Sequence, residues 1–258
     1  MTSPTIAGDF DGIMRQINQK IQQIEQKIEE LFAKINGLLS WVPSFLSSVV
    51  DAIKSGINSL NQALQKFWAQ IQTFLSNAGS PSALEQAGAV WQNNVGGVAS
   101  TVSGTVTQDQ LQGENDWTGQ AATSYRYAIP AQDTALGAIK SIANQIDQSL
   151  NKIANAIIAF WIAVGAALAA FIVGLVGAIA ACCTVVGTPV GIAEIIGVIV
   201  VVLGLLTTAA KEIVTYLNGV NAEQVALGQQ LVDNTNFPNG KWPVSAANLG
   251  QDDGWKVA

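Results

Sequence analysis

The side chains able to do chemistry are few. Histidine is absent, which removes the commonest general base and metal ligand, and only Arg15 and Arg126 supply guanidinium groups. Cys182 and Cys183 are adjacent; neighbouring thiols close a disulfide only with strain, and two sulfurs alone do not make a zinc site, so both are expected to be small apolar packing residues. Glu25, Glu29 and Glu30 belong to a solvated helix face and Asp252-Asp253 to a tail. With no paired carboxylates and no phosphate loop, the sequence predicts no enzyme, no cofactor and no catalytic, cofactor-binding or metal-binding residue. The chemistry left is transfer from water to oil. Residues 156–180, AIIAFWIAVGAALAAFIVGLVGAIA, carry no charge and no hydrogen-bonding side chain except the Trp161 indole, and a second apolar run, 191–210, has Glu194 as its sole charge.

Both runs are long enough to cross a bilayer. Twelve large apolar residues of the first run, each favouring mid-membrane by a few tenths of a kcal/mol, sum to about −5 kcal/mol, and the second run is similar against a cost of roughly +3 kcal/mol for a buried Glu194. The residues expected to insert are Ile158, Trp161, Leu168, Phe171, Leu175, Ile179, Ile195, Ile196, Val200 and Leu203, with Cys182, Cys183, Thr184, Thr188, Pro189 and Glu194 at the hairpin tip. Lys140 and Lys152 precede the hairpin and Lys211 follows it, while the tip has no lysine or arginine. An uncharged tip is the easier end to translocate, leaving both termini on the side of origin. A stretch apolar all round also suits the centre of a soluble bundle, and a third reading joins the two: amphipathic helices shelter the hairpin in water and release it at a membrane.

The elements that must position this hairpin are helices. Ile17, Ile21, Ile24, Ile28, Leu31, Ile35 and Leu38 step by four and three, and the spacing resumes as Leu46, Val49, Ile53, Ile57, Leu60, Leu64, Phe67, Ile71 and Leu75. This predicts one long amphipathic helix over 11–76, kinked at Pro43. Gly79, Pro81 and the Ser82/Glu85 spacing mark a stop and a restart, and a second helix is expected to about residue 112, with a strand hairpin as the alternative because Gly96, Gly97, Gly104 and several threonines weaken it. A third helix starts near 119, bends at Pro130 and runs without a loop into the first apolar run. A fourth covers 191–232, and 233–258 is expected as irregular tail. The organisation predicted is thus 1–81 coiled-coil-like helix, 82–152 helix-turn-helix, 153–210 apolar hairpin, 211–232 return helix and 233–258 tail, together an all-α, elongated helical bundle.

The charged fraction is 12%, about half the usual share, and the net charge is −6. So acidic a chain is not expected to bind nucleic acid. No basic segment followed by an apolar one opens the sequence, which predicts export, if any, by a route other than the general secretory one.

At DWTGQAATSY, Trp117-x-Gly119 followed by Ala121-Ala122 and Tyr125 at a helix start resembles the WXG family of helical hairpins exported by type VII secretion systems of Gram-positive bacteria. The likeness spans about residues 82–150. It implies a protein secreted from a Gram-positive bacterium by a non-Sec route, with a co-secreted helical partner; the apolar hairpin adds the expectation of later membrane association, with the lipid membrane as partner, and of a homo-oligomer. The family's Tyr-x-x-x-Asp/Glu export signal is missing, because Tyr125, Tyr127 and Tyr216 are followed four positions later by Ile129, Ala131 and Val220. A partner is then expected to carry the signal. The helix lengths and apolar tongue are similar to those of helical pore-forming toxins. The function expected is membrane insertion as a pore or pore component, with a non-lytic secretion partner or a resident membrane protein as alternatives.

Overall fold

The computed structural model describes residues 6–41, 46–107, 109–110, 117–182, 184–244 and 256–257. It is all-α apart from one two-residue strand pair. The elements are α1 (Ile6–Leu39), α2 (Ser47–Ser76), α3 (Pro81–Trp91), a π-helical turn (Gln92–Gly97), α4 (Val98–Ser103), β1 (Trp117–Thr118), α5 (Gln120–Ala181), α6 (Thr188–Leu231), a 3-10 turn (Pro238–Gly240) and β2 (Lys256–Val257). They divide into two compact units, one of residues 1–81 with 155–216, the other of 82–154 with 217–258.

The first unit is four helical segments around one core. Ile17, Ile24 and Leu31 of α1 and Ile53, Leu60 and Phe67 of α2 recur every seven residues and are buried together with Leu168, Phe171 and Leu175 of α5 and Ile195, Ile199, Val202 and Leu206 of α6. Seven-residue spacing keeps one face of a helix toward its neighbours, so the polar residues between stay in water. Ring contacts set the direction: Phe67 stacks edge-on against Phe171 at 4.8 Å and Phe74 against Phe160 at 5.1 Å, so α2 runs antiparallel to α5.

One expectation for this unit is corrected. The helix predicted over 11–76 is two helices, α1 stopping at Leu39 and α2 starting at Ser47, rather than one kinked rod. Proline has no N–H to return to the carbonyl four residues back, and Trp41 already closes the end of α1 with a short turn onto the Leu38 carbonyl at 3.0 Å. Pro43 itself lies outside the described residues. The core of this unit takes its covering helices from α1 and α2, whereas 82–154 belong to the other unit.

In the second unit the segment from Pro81 to Ser103 lies antiparallel to α5. A Cβ on Gly88 would meet the side chain of Asp147, one on Gly96 would sit 3.2 Å from the Ala143 Cβ, Lys140 donates to the Ser100 hydroxyl at 3.1 Å, and Ser103 donates to Asp133. The segment is helical, not a strand hairpin, and its π-turn falls at the Gly96-Gly97 pair. It ends at Ser103, short of residue 112. Helix α5 runs unbroken through Pro130, and α6 starts at Thr188, three residues earlier than expected. The tail is less irregular than predicted: Gln132 donates to the Pro243 carbonyl at 3.1 Å, and β2 pairs antiparallel with β1, Trp117 opposite Val257.

Candidate functional site: the apolar hairpin

The hairpin is the C-terminal part of α5 joined to the N-terminal part of α6. Both helices have windows of mean hydropathy 2.6, of which 28% is buried in α5 and 33% in α6. One face of each packs into the core of the first unit and the other is exposed. On α5 the exposed positions include Ile162, Val173 and Val176; on α6 they include Val190, Val200, Val201 and Leu205. Between them lies a groove of about 540 Å³ floored by small residues, Ala170, Gly174, Gly177, Gly197 and Val198 among them. The helices approach closely there, because a Cβ on Gly174 would sit 2.7 Å from both methyl carbons of Val198.

The structure sorts the residues expected to insert into three classes. Trp161, Leu168, Phe171, Leu175, Ile179 and Ile195 are buried in the core, and Ile158, Ile196 and Leu203 are half-buried. Val200 is 61% exposed and is the one that presents its side chain outward. The exposed partners Ile162, Val173, Val176, Val201 and Leu205 were not singled out from the sequence. A run that is apolar on every side contains no period that tells inside from outside. The signal lay in α1 and α2, whose seams had to be matched by one face of the hairpin only.

The tip is built by hydroxyls. The Thr188 hydroxyl donates to the carbonyls of Thr184 at 2.7 Å and Cys182 at 3.3 Å, and the Gly187 amide donates to the Thr184 hydroxyl at 2.9 Å. Thr188 is therefore fully buried and satisfied, where it was expected to lead the tip outward. Cys182 is buried beside it, in keeping with a packing role, and Cys183 lies outside the described residues. Pro189 falls in the first turn of α6, where its missing N–H is not needed. Glu194 is corrected too: it lies not at the tip but in the second turn of α6, exposed at the rim of the glycine-floored groove. Among the outward residues of the turn itself are Thr184 and Val186.

At the opposite end of the hairpin, Trp161 donates its indole N–H to the Ala78 carbonyl at 2.9 Å and stacks edge-on against Phe160 at 5.3 Å. Gly79 follows with a φ of +79°, which only glycine adopts freely, and this turn brings the chain against Ile157. The one polar side-chain group in the first apolar run is thus satisfied by the loop that ends α2.

The Trp117-x-Gly119 motif sits in the second unit. Trp117 and Thr118 form β1, Gly119 has a φ of +102°, and α5 begins at Gln120. Glycine is needed there because an L side chain at that φ is strained. Ala121 and Ala122 are buried, and Tyr125 is half-buried in the second turn of α5. Among the described residues no three His, Cys, Asp or Glu side chains converge on a point able to hold a metal ion. Comparison with known families, with characterised proteins and with solved structures finds no match to this chain.

Proposed function

We propose that this protein acts by membrane insertion, its apolar hairpin passing from a helical bundle into a lipid bilayer, where copies assemble into a pore or one part of a pore. The carrying observation is the outer face of the hairpin, where Ile162, Val173, Val176, Val200, Val201 and Leu205 are all exposed on two adjacent helices, with Glu194 at the groove rim as the charge beside them. Exposed apolar side chains on two membrane-length helices are costly in water and favourable in acyl chains. The inner face is held by core contacts that depend on buried area, and lipid offers the same gain without directional partners. Because the hairpin has no polar stripe, a conducting lining has to come from the amphipathic α1 and α2 or from glycine and alanine surface.

The test is dye release from phosphatidylcholine vesicles by the wild type against a Val173→Asp, Val200→Asp variant. Both positions are exposed, so stability in solution should change by less than about 0.5 kcal/mol per site, while each aspartate costs roughly 3 kcal/mol at mid-membrane. Wild type should release dye and the variant should not. Equal release by both proteins, or none by the wild type, overturns the proposal.

A second reading has its own support. The antiparallel pairing of Pro81–Ser103 with α5 and the positive φ of Gly119 just before α5 support a WXG-type helical hairpin. On that reading the protein is a non-lytic, co-secreted partner, and it should co-purify with a second small helical protein while vesicles stay intact.

A further inference from the structure

The hairpin carries a single ionised group, and the helix sets its height. Across 153–210 neither lysine nor arginine occurs and Glu194 is the sole carboxylate. It is exposed beside the groove floored by Ala170, Gly174, Gly177 and Gly197, with no hydrogen-bond or ion-pair partner among the described residues. The next charges along α6 are Lys211 and Glu212. From Glu194 to Lys211 is about 26 Å of helix, close to the roughly 30 Å of a bilayer's hydrocarbon core. An α6 that spans a bilayer therefore places Lys211 and Glu212 at the near surface and Glu194 at the far one. On α5 the first charge back from the tip is Lys152, about 44 Å of helix before Ala181, so it too stays on the near side.

Acyl chains are the one surrounding that a carboxylate resists, so in an assembly of copies Glu194 turns to the water of the far mouth. A ring of carboxylates there draws in cations and repels anions. Neither candidate lining offsets that ring. The glycine and alanine surface of the groove brings no charge of its own. The sequences of α1 and α2 hold six basic residues, among them Lys34 and Lys66, and six acidic ones, among them Glu30 and Asp51, so these helices bring no net charge. With either lining, the unbalanced charge is that of Glu194.

We propose that Glu194 is the ion-selecting residue of the pore, which passes cations in preference to anions. The inference rests on the pore reading and names the ions that such a pore conducts. In planar bilayers of phosphatidylcholine, whose headgroup adds no net charge, the reversal potential under a KCl gradient gives the ratio of potassium to chloride passed. Wild type should favour potassium by roughly tenfold. Glu194→Gln should bring the ratio close to one, and Glu194→Asp should keep it. Position 194 is exposed, so both variants should retain the circular dichroism of the wild type. A Glu194→Gln pore as selective as wild type, a Glu194→Asp pore as unselective as Glu194→Gln, or a wild-type pore that favours chloride or neither ion would each overturn this inference and leave the pore reading standing. Loss of conductance in Glu194→Gln alone would overturn it as well, because the carboxylate would then serve assembly rather than the ions. Wild type that neither conducts nor releases dye would sink both readings.

Discussion

Helices α5 and α6 each contribute a segment to both units, and the two segments are held by different forces. In the first unit the pair meets through Leu168, Phe171, Leu175, Ile195 and Ile199, with Gly174 letting Val198 close in. In the second unit the same helices meet through paired polar groups. Lys152 and Ser149 both bond the Glu223 carboxylate, at 2.8 and 2.5 Å, and the Gln145 and Gln230 amides exchange hydrogen bonds at 3.3 Å. Area burial is indifferent to its partner and lipid can replace it, whereas hydrogen bonds and ion pairs have no substitute in hydrocarbon. On the insertion proposal, this difference makes the apolar part of each helix the one that moves and the polar part its anchor.

The largest way to break this contrast is Trp161→Ala. It empties a fully buried indole site and orphans the Ala78 carbonyl, so the first unit should lose about 3–5 kcal/mol. A lower urea midpoint should come with faster dye release, because the inner contacts that retain the hairpin are weakened. A stability loss without any acceleration would show that core packing is not what holds the hairpin back.

The glycines sharpen the contrast at a smaller scale. Alanine at Gly174 has to displace the stiff Val198 side chain, costing about 1–3 kcal/mol, more than the gain of roughly 1 kcal/mol in helix propensity. At Gly197 nothing lies within 4 Å of an added Cβ, so Gly197→Ala should raise stability by up to about 1 kcal/mol. Thermal unfolding of the two variants should therefore move in opposite directions. Movement in the same direction would mean that the two helices are not apposed at Gly174 as described.

Much of this division was legible in the residues. The seven-residue spacing of Ile17, Ile24 and Leu31 and of Ile53, Leu60 and Phe67 gave the buried seams, since a helix face has to repeat with the period of its neighbour. The continuity of α5 followed from the absence of any glycine or proline between Ile139 and Ile153. The break after Leu39 was not legible, because the apolar spacing is the same on both sides of Pro43 and hides a change of helix. Nor was the outward face of the hairpin, which depends on where α1 and α2 lie. The role of Thr188 was misjudged for a related reason: a hydroxyl at a turn looks solvent-facing until the carbonyls of Cys182 and Thr184 are seen to need it. The pairing of β1 with β2 joins Trp117 to Val257, 140 residues apart, a separation over which no local pattern operates.

The smallest expected effect lies in the anchoring half. Hydrogen bonds from Lys152 and then Ser149 hold the Glu223 carboxyl below its ordinary value of 4.5, and Lys27 and Lys34 do the same for Glu30 on α1. A carboxylate lowered on folding contributes stability above its ordinary pKa and loses it only as pH falls through the lower folded value. These contributions are accordingly intact between about pH 7 and about pH 5.5, and the chain has no histidine to titrate in that window. Dye release should proceed at the same rate at the two ends of that range, and hydrogen exchange across 217–231 should keep the same pattern. Lys152→Met should loosen those amides slightly at neutral pH, since the ion pair is exposed and screened, and leave dye release unchanged. An acid-triggered burst of release near pH 5.5 would mean that the polar half of α5 and α6 gates the apolar half, and the assignment of anchor and moving part would have to be exchanged.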